Sequence, residues 1–411
     1  MTRPSRSLVR KTAAPLLFGC SAALFLGSFT GCTFFKKLMG TNSVDLSKAD
    51  VKTMAVDIRK ERKTICPREH VQMAVFAEVV LEGEKEAKKY ETWMGEDGAN
   101  KNDKLDFPEF AFHSDQGSFN NVGWFAPSTN VLATIDKEFE IKTVYKRRPD
   151  QFSFTTKYKP DYQCIKGAGK GGQPGASGPS GDGGKQGNSG QSGSSSSAGG
   201  QGSDGGPGGS GGDGMSGGAG PKLVVYATMV KTAFYDKLVA IKISGDIDDF
   251  LLAPIDQPIS LRAIGGGGGP GGSGGHGGSG GSGGSGNPAG QGGNGGQGGN
   301  GGKGGNGGAG GSIELVFDSR FAELKSALNL DVSGGGAGSS GPAGGGGTGG
   351  SGGSGMTPSG STQSVPTGAR GTDGAGGSSG TSGQQGPNGR AATKAGDVKA
   401  RFADVSGITV L

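Results

Sequence analysis

The chain has 411 residues, 92 of them glycine, and only 31% are hydrophobic, so much of its length has no oily core to hold it. Its formal charge of +5 falls to +1 once the basic N-terminal segment is set aside. Charge on that scale excludes the usual nucleic-acid binders.

Taken in chain order, residues 1–31 read as an export signal. Arg3, Arg6, Arg10 and Lys11 form a basic start, followed by an apolar stretch from Ala13 to Phe29 that Pro15 and small residues interrupt. The stretch is too short and too broken for a membrane span. It ends in Phe29-Thr30-Gly31-Cys32, which resembles the bacterial lipobox, with Leu17-Phe18-Gly19-Cys20 as a competing match. The resemblance implies a lipid on Cys32 that anchors the chain to a membrane. The absence of Asp at Thr33 implies the outer membrane, with either side of it open. Cleavage before Cys32 leaves Cys66 and Cys164, an even pair expected to form a disulfide in an oxidising compartment, with two buried free thiols as the alternative.

Residues 32–49 read as a tether and 50–166 as a β-sandwich domain of immunoglobulin-like type. The expected strands are Val51–Arg59, Val71–Leu81, Leu105–Phe112, Glu138–Tyr145 and Phe152–Tyr158, each rich in β-branched or aromatic residues and bounded by turn formers. Trp93, Trp124 and Phe125 are expected in the core of this domain, with a sugar platform as the alternative. Lys146-Arg147-Arg148, with Lys142 and Lys157 nearby, reads as a solvated strand end that could also meet anionic polysaccharide or lipid headgroups.

From residue 167 to 411 two textures alternate. Apolar β-blocks occupy Lys222–Ile264, Ile313–Val332 and Asp397–Leu411, with a short helical turn expected at Arg320–Ser326. Between them glycine recurs at every third position: from Gly169 to Gly220 with Ser196 the exception, from Gly265 to Gly286, from Gly292 to Gly310, from Gly335 to Gly353 and from Gly368 to Gly389. A flexible linker keeps no phase. A fixed three-residue period belongs to an extended left-handed helix, where glycine allows close lateral approach. Ser194–Ala198, Asn287–Ala289 and Met356–Thr367 interrupt the period and divide it into six segments, 169–193, 199–220, 265–286, 290–312, 335–355 and 368–389. At roughly 3.1 Å per residue each spans about 60–75 Å. The expected fold is therefore mainly β, with a β-strand scaffold carrying a six-arm polyglycine-II helix bundle folded as three hairpins.

Such segments have no internal hydrogen bonds, so neighbours must satisfy their amides. The third and fourth segments read Gly-Gly-X and offer two glycine faces, which predicts inner positions. The first and sixth are mostly Gly-X-Y and are expected at the periphery, with the second and fifth between. The pattern resembles single-chain polyglycine-II bundles such as snow-flea-type antifreeze proteins and some phage tail-tip adhesins. Those relatives bind ice or cell-surface receptors. The ice-binding ones present a flat face of small residues, from which this chain departs by carrying Gln, Asn, Lys, Asp and Ser at X positions. A collagen triple helix is a rival reading, although Pro174, Pro179 and Pro207 are too few for it. Disordered tracts are another.

No catalytic, cofactor or metal constellation stands out. Gly-X-Gly-X-X-Gly recurs by chance without a strand-to-helix context. Asp182, Asp204 and Asp213 share no calcium-binding nonapeptide frame, and His70, His113 and His276 are scattered. His113-Ser114-Asp115 are sequence neighbours, which seldom converge as a triad. The functional expectation is a lipid-anchored, non-enzymatic envelope protein for structure or adhesion, with a polysaccharide or surface protein as partner. A periplasmic assembly or secretion accessory is the alternative, and an envelope-associated enzyme the third reading.

Overall fold

The computed structural model describes residues 44–58, 63–92 and 104–411. The segment expected as an export signal, Cys32 and Trp93 lie outside the described residues. The chain divides into two compact units, one holding residues up to Ala55 with Val75–Glu109, the other Val56–Ala74 with Phe110–Leu411. The fold is mainly β, with several sheets.

In the first unit, β4 (Lys88–Glu91) runs antiparallel to the second half of β3 (Val71–Val80), pairing Phe76 with Glu91 and Val79 with Lys88. Val75, Ala77, Val79 and Tyr90 are buried there with Val44, Leu46 and Leu105. Thr92 closes the corner, its amide donating to the Val75 carbonyl and its hydroxyl accepting from the Val75 amide at 3.0 Å each. The strand β1 (Asp50–Ile58) contributes residues to both units.

The second unit begins with short antiparallel pairs. The strands β6 (Gly117–Phe119) and β7 (Trp124–Pro127) form one, and β7 also meets Val71 and Gln72. A four-stranded sheet runs in the order β2 (Thr64–Ile65), β9 (Ser153–Pro160), β8 (Phe139–Tyr145), β5 (Phe110–His113). Alternation in β8 is clean: Phe139, Ile141, Thr143 and Tyr145 are buried, Glu140 and Lys142 exposed. The segment expected as one strand from Leu105 to Phe112 instead contains a 3-10 turn at Phe107–Glu109, where Pro108 removes an amide from any ladder.

Two further sheets carry the glycine region. One is three-stranded and all parallel, in the order β10 (Gly167–Gly171), β14 (Ile259–Ile264), β16 (Leu328–Asp331). The other has the order β13 (Asp249–Ala253), β12 (Leu238–Gly245), β11 (Lys222–Lys231), β15 (Ser312–Asp318), β17 (Arg390–Gly396), with β18 (Thr409–Val410) also on β11. Within it β11, β15 and β17 are parallel. Ile259, Leu261 and Leu328 of the first sheet share one apolar core with Leu223, Val225, Ile313 and Leu315 of the second. The helical turn α1 (Leu324–Ala327) buries Leu324 in the same core, slightly later in the chain than Arg320–Ser326. Cys66 and Cys164 lie at disulfide distance, their Cα atoms 6.2 Å apart and 98 positions apart in sequence, and both touch that core.

Each sheet continues into a layer of glycine segments. The strands β10, β14 and β16 border the first, third and fifth; β11, β15 and β17 follow the second, fourth and sixth. Neighbours within a layer are parallel: Gly175 donates to the Gly267 carbonyl, Gly178 to Pro270, Gly181 to Ser273, stepping three residues together. Gly268 to Gly336 continues that layer, and Gly202 to Gln291 and Gly295 to Thr372 build the other. Between layers the chains are antiparallel, as in Gly206 to Lys185, Gly209 to Asp182 and Gly212 to Pro179. The third segment bonds to the first, second, fourth and fifth, and the fourth to the second, third, fifth and sixth. The first is bonded only to the second and third, the sixth only to the fourth and fifth, among the described residues. Position in the layers thus follows the number of glycine faces along each segment.

Candidate functional site

Glycine is required wherever a backbone carbonyl occupies the place of a side chain. A Cβ at Gly278 would land on the Lys185 carbonyl, one at Gly302 on Gly212, and one at Gly299 on Gly209. The remaining third of positions falls outside the lattice, and the layering sorts these residues into two unlike faces. The face of the first, third and fifth segments carries Pro270, Ser273, His276, Ser279 and Ser282 beside Ser339, Pro342, Gly345, Thr348 and Ser351. Side chains bridge its rows: Gly345 donates to His276 Nδ1 at 3.1 Å, and the Thr348 and Ser279 hydroxyls meet at 3.2 Å.

The opposite face is rich in amides and carboxylates. Gln291, Asn294, Gln297, Asn300, Lys303 and Asn306 line the fourth segment, all exposed. Three of these asparagines satisfy amides of the sixth segment, Asn294 accepting from Thr372 N at 2.9 Å, Asn300 from Ser378 N at 2.8 Å and Asn306 from Gln384 N at 2.9 Å. On the other flank Asp204 accepts from Asn294 N and Asp213 from Lys303 N, at 2.6 and 2.7 Å. These side chains cap backbone donors that the three-residue register leaves over. Sequence reading treats the X positions as one exposed set. The alternation of Asn with Gln or Lys every three residues is the signal that could have separated the capping positions.

The three chain reversals lie at the end of the glycine region away from the sheets. Ser194 and Ser197 exchange backbone hydrogen bonds, Asn287 donates to the Ser197 carbonyl at 2.9 Å, and Met356 donates to Gly286 at 2.9 Å. Residues 356–364 are exposed throughout.

Nearer the sheets, a groove of about 750 Å³ is lined by Arg68, Leu132, Lys242, Asp249, Phe250 and Asp404 among others. Both of its cations are engaged: Arg68 forks onto Asp249 at 2.8 and 3.0 Å, and Lys242 reaches both oxygens of Asp404 at 2.8 Å. The Lys242 ammonium holds the Asp404 carboxyl below the usual range. A second, smaller cleft places Tyr158 against Asp57 at 2.9 Å, and burial, reinforced by that carboxylate, pushes the phenol upward.

The other residues singled out in the sequence are dispersed. Phe125 is fully buried, tilted against Phe119 and edge-on to Phe139. Trp124 is 42% exposed, a correction to its expected core position, because alternation along β7 turns it to the opposite face. His113 Nε2 meets Asp115 at 3.1 Å with both side chains exposed, while Ser114 bonds Gln116 instead. In the basic run Arg148 lies over the Phe152 ring and Lys157 pairs with Glu140. Among the described residues no group of His, Cys, Asp or Glu is arranged to hold a metal ion. No family model, curated protein or solved structure matches the chain.

Proposed function

We propose that this chain is a lipid-anchored, non-enzymatic envelope protein in which a polyglycine-II bundle projects a stiff binding surface from a β-scaffold. The lipid on Cys32 would hold it at the outer membrane, and the immunoglobulin-like sandwich of 50–166 would space the bundle from the anchor. The observation that carries this reading is the unbroken run of lateral backbone bonds from the sheets to the three reversals. A lattice bonded in two directions resists bending, which a recognition surface of about 60–75 Å needs. The reversals and the two polar faces are the parts that would meet a partner, a polysaccharide or a surface protein.

The test is protease treatment of intact cells carrying the chain, alongside fatty-acid labelling of wild type and Cys32→Ser. Cleavage of the reversals on intact cells with label lost in the variant supports the adhesion reading. Protection until the outer membrane is opened would favour the periplasmic accessory, and unchanged label would remove the anchor at Cys32.

A further inference from the structure

The strand β17 closes the six-stranded sheet and departs from every other strand of the scaffold. Arg390 through Ala395 are exposed without interruption, on both faces, whereas in the adjacent β15 Ile313 and Leu315 through Asp318 are buried. The Arg390 amide donates to Gly311 and the Gly396 carbonyl accepts from Ser319, so the even-numbered residues bond toward β15. Strand alternation then turns the N–H and C=O groups of Ala391, Thr393 and Ala395 to the other edge, which no strand covers among the described residues.

An open edge is a template for another strand unless proline, a bulge or charge blocks it. Here the edge-facing residues are small and uncharged, and no proline interrupts them. The one lysine, Lys394, is held on Glu314 of β15. We propose that β17 is a docking edge for a second copy of this chain, which pairs antiparallel with its own counterpart about Thr393. In that register Ala391 faces the partner's Ala395 and Thr393 faces the partner's Thr393, so all the edge-facing amides and carbonyls are bonded. Lys394 falls opposite Ala392 and Arg390 opposite Gly396, which keeps like charges apart. The contact is isologous, so it closes at two copies. It directs the two glycine regions away from each other.

Cysteine scanning of the full chain under mild oxidation tests the register. A hydrogen-bonded antiparallel pair holds its Cα atoms about 5.5 Å apart, within disulfide range. Thr393→Cys is expected to give a dimer linked 393 to 393, identified by mass spectrometry of the joined peptides, while Ala392→Cys stays at background. Sedimentation across a concentration series gives the second measurement. Thr393→Pro deletes only an edge-facing amide, so it should abolish the dimer and leave the melting temperature at monomeric dilution unchanged. Equal linkage at 392 and 393, a monomer at all concentrations, or a dimer that survives Thr393→Pro would each overturn the proposal.

Discussion

Along one stretch of chain, from Gly298 to Phe317, the means of cohesion changes. In β15, Ile313, Leu315 and Phe317 bury apolar side chains in the core they share with residues of β11 and β14, and removal of that surface from water stabilises the strand. A few residues upstream Gly298, Gly301 and Gly304 bury nothing apolar and are held by amides donated to Ala375, Ser378 and Thr381. Each such bond nets about 1 kcal/mol, less than the cost of ordering the three residues that carry it. The scaffold therefore has to hold the glycine segments in register before their bonds can add up. The two sheets do so because their parallel strands enter the layers in the same order.

Breaking the scaffold should produce the largest effect. Leu261→Ala in β14 removes a fully buried side chain and is expected to cost about 3 kcal/mol. Calorimetry and circular dichroism should show both regions melting together at a lower temperature. A circular dichroism signal from the glycine segments that outlasts the scaffold would mean that they do not depend on it.

A comparable loss is expected from one methyl group in the lattice. Gly299→Ala places Cβ on the Gly209 carbonyl of the neighbouring segment in the same layer, and there is no flexible side chain to move aside. The expected cost is about 3 kcal/mol, read as a drop in denaturant midpoint. Tolerance of alanine there would show that the layers are looser than their bonds indicate.

Electrostatics gives a smaller lever on the scaffold side. Asp318 is buried at the end of β15, where Arg320 forks onto its carboxylate at 2.7 and 3.0 Å and the buried Thr228 hydroxyl donates at 2.7 Å. The Arg320 hydrogen bonds hold its carboxyl below the ordinary value of 3.8, against the opposing effect of burial. A depressed folded-state value means that the stabilisation is full above the unfolded value and is lost as pH falls from about 3.8 downward through the folded one. Asp318→Asn should cost about 2 kcal/mol at neutral pH. It should also flatten the fall in melting temperature below about pH 4 relative to wild type. Parallel pH curves for the two proteins would assign the acid sensitivity elsewhere.

The legibility of the two regions differs for the same physical reasons. Long strands with a clear period, such as β8 and β11, are visible in the sequence because one face of each is buried. Short strands such as β4 and β6 are not, since four residues or fewer, Lys88–Glu91 and Gly117–Phe119, carry too little alternation. The glycine period shows where segments begin and turn. The pairing of odd with odd segments is fixed by β10, β14 and β16 and that of even with even by β11, β15 and β17, and it decides which X residues share a face. Ser279 and Thr348 lie 69 positions apart and Asn300 and Ser378 lie 78 apart, distances at which no local pattern operates.

The smallest predicted effect has the opposite sign. Gly336 is a glycine of the fifth segment, but a Cβ there would meet nothing within 4 Å, and its φ lies outside the left-handed region. Gly336→Ala should leave the native lattice intact and reduce only the freedom of the unfolded chain, raising stability by about 0.5 kcal/mol. Gly336 and Gly299 belong to the same three-residue texture, yet alanine is expected to stabilise at one and destabilise at the other. A matched pair of denaturant titrations reads this directly. If both substitutions destabilise, an outward glycine is needed for an approach that the chain does not make to itself, and the face around Gly267 and Gly336 becomes the place to seek a partner.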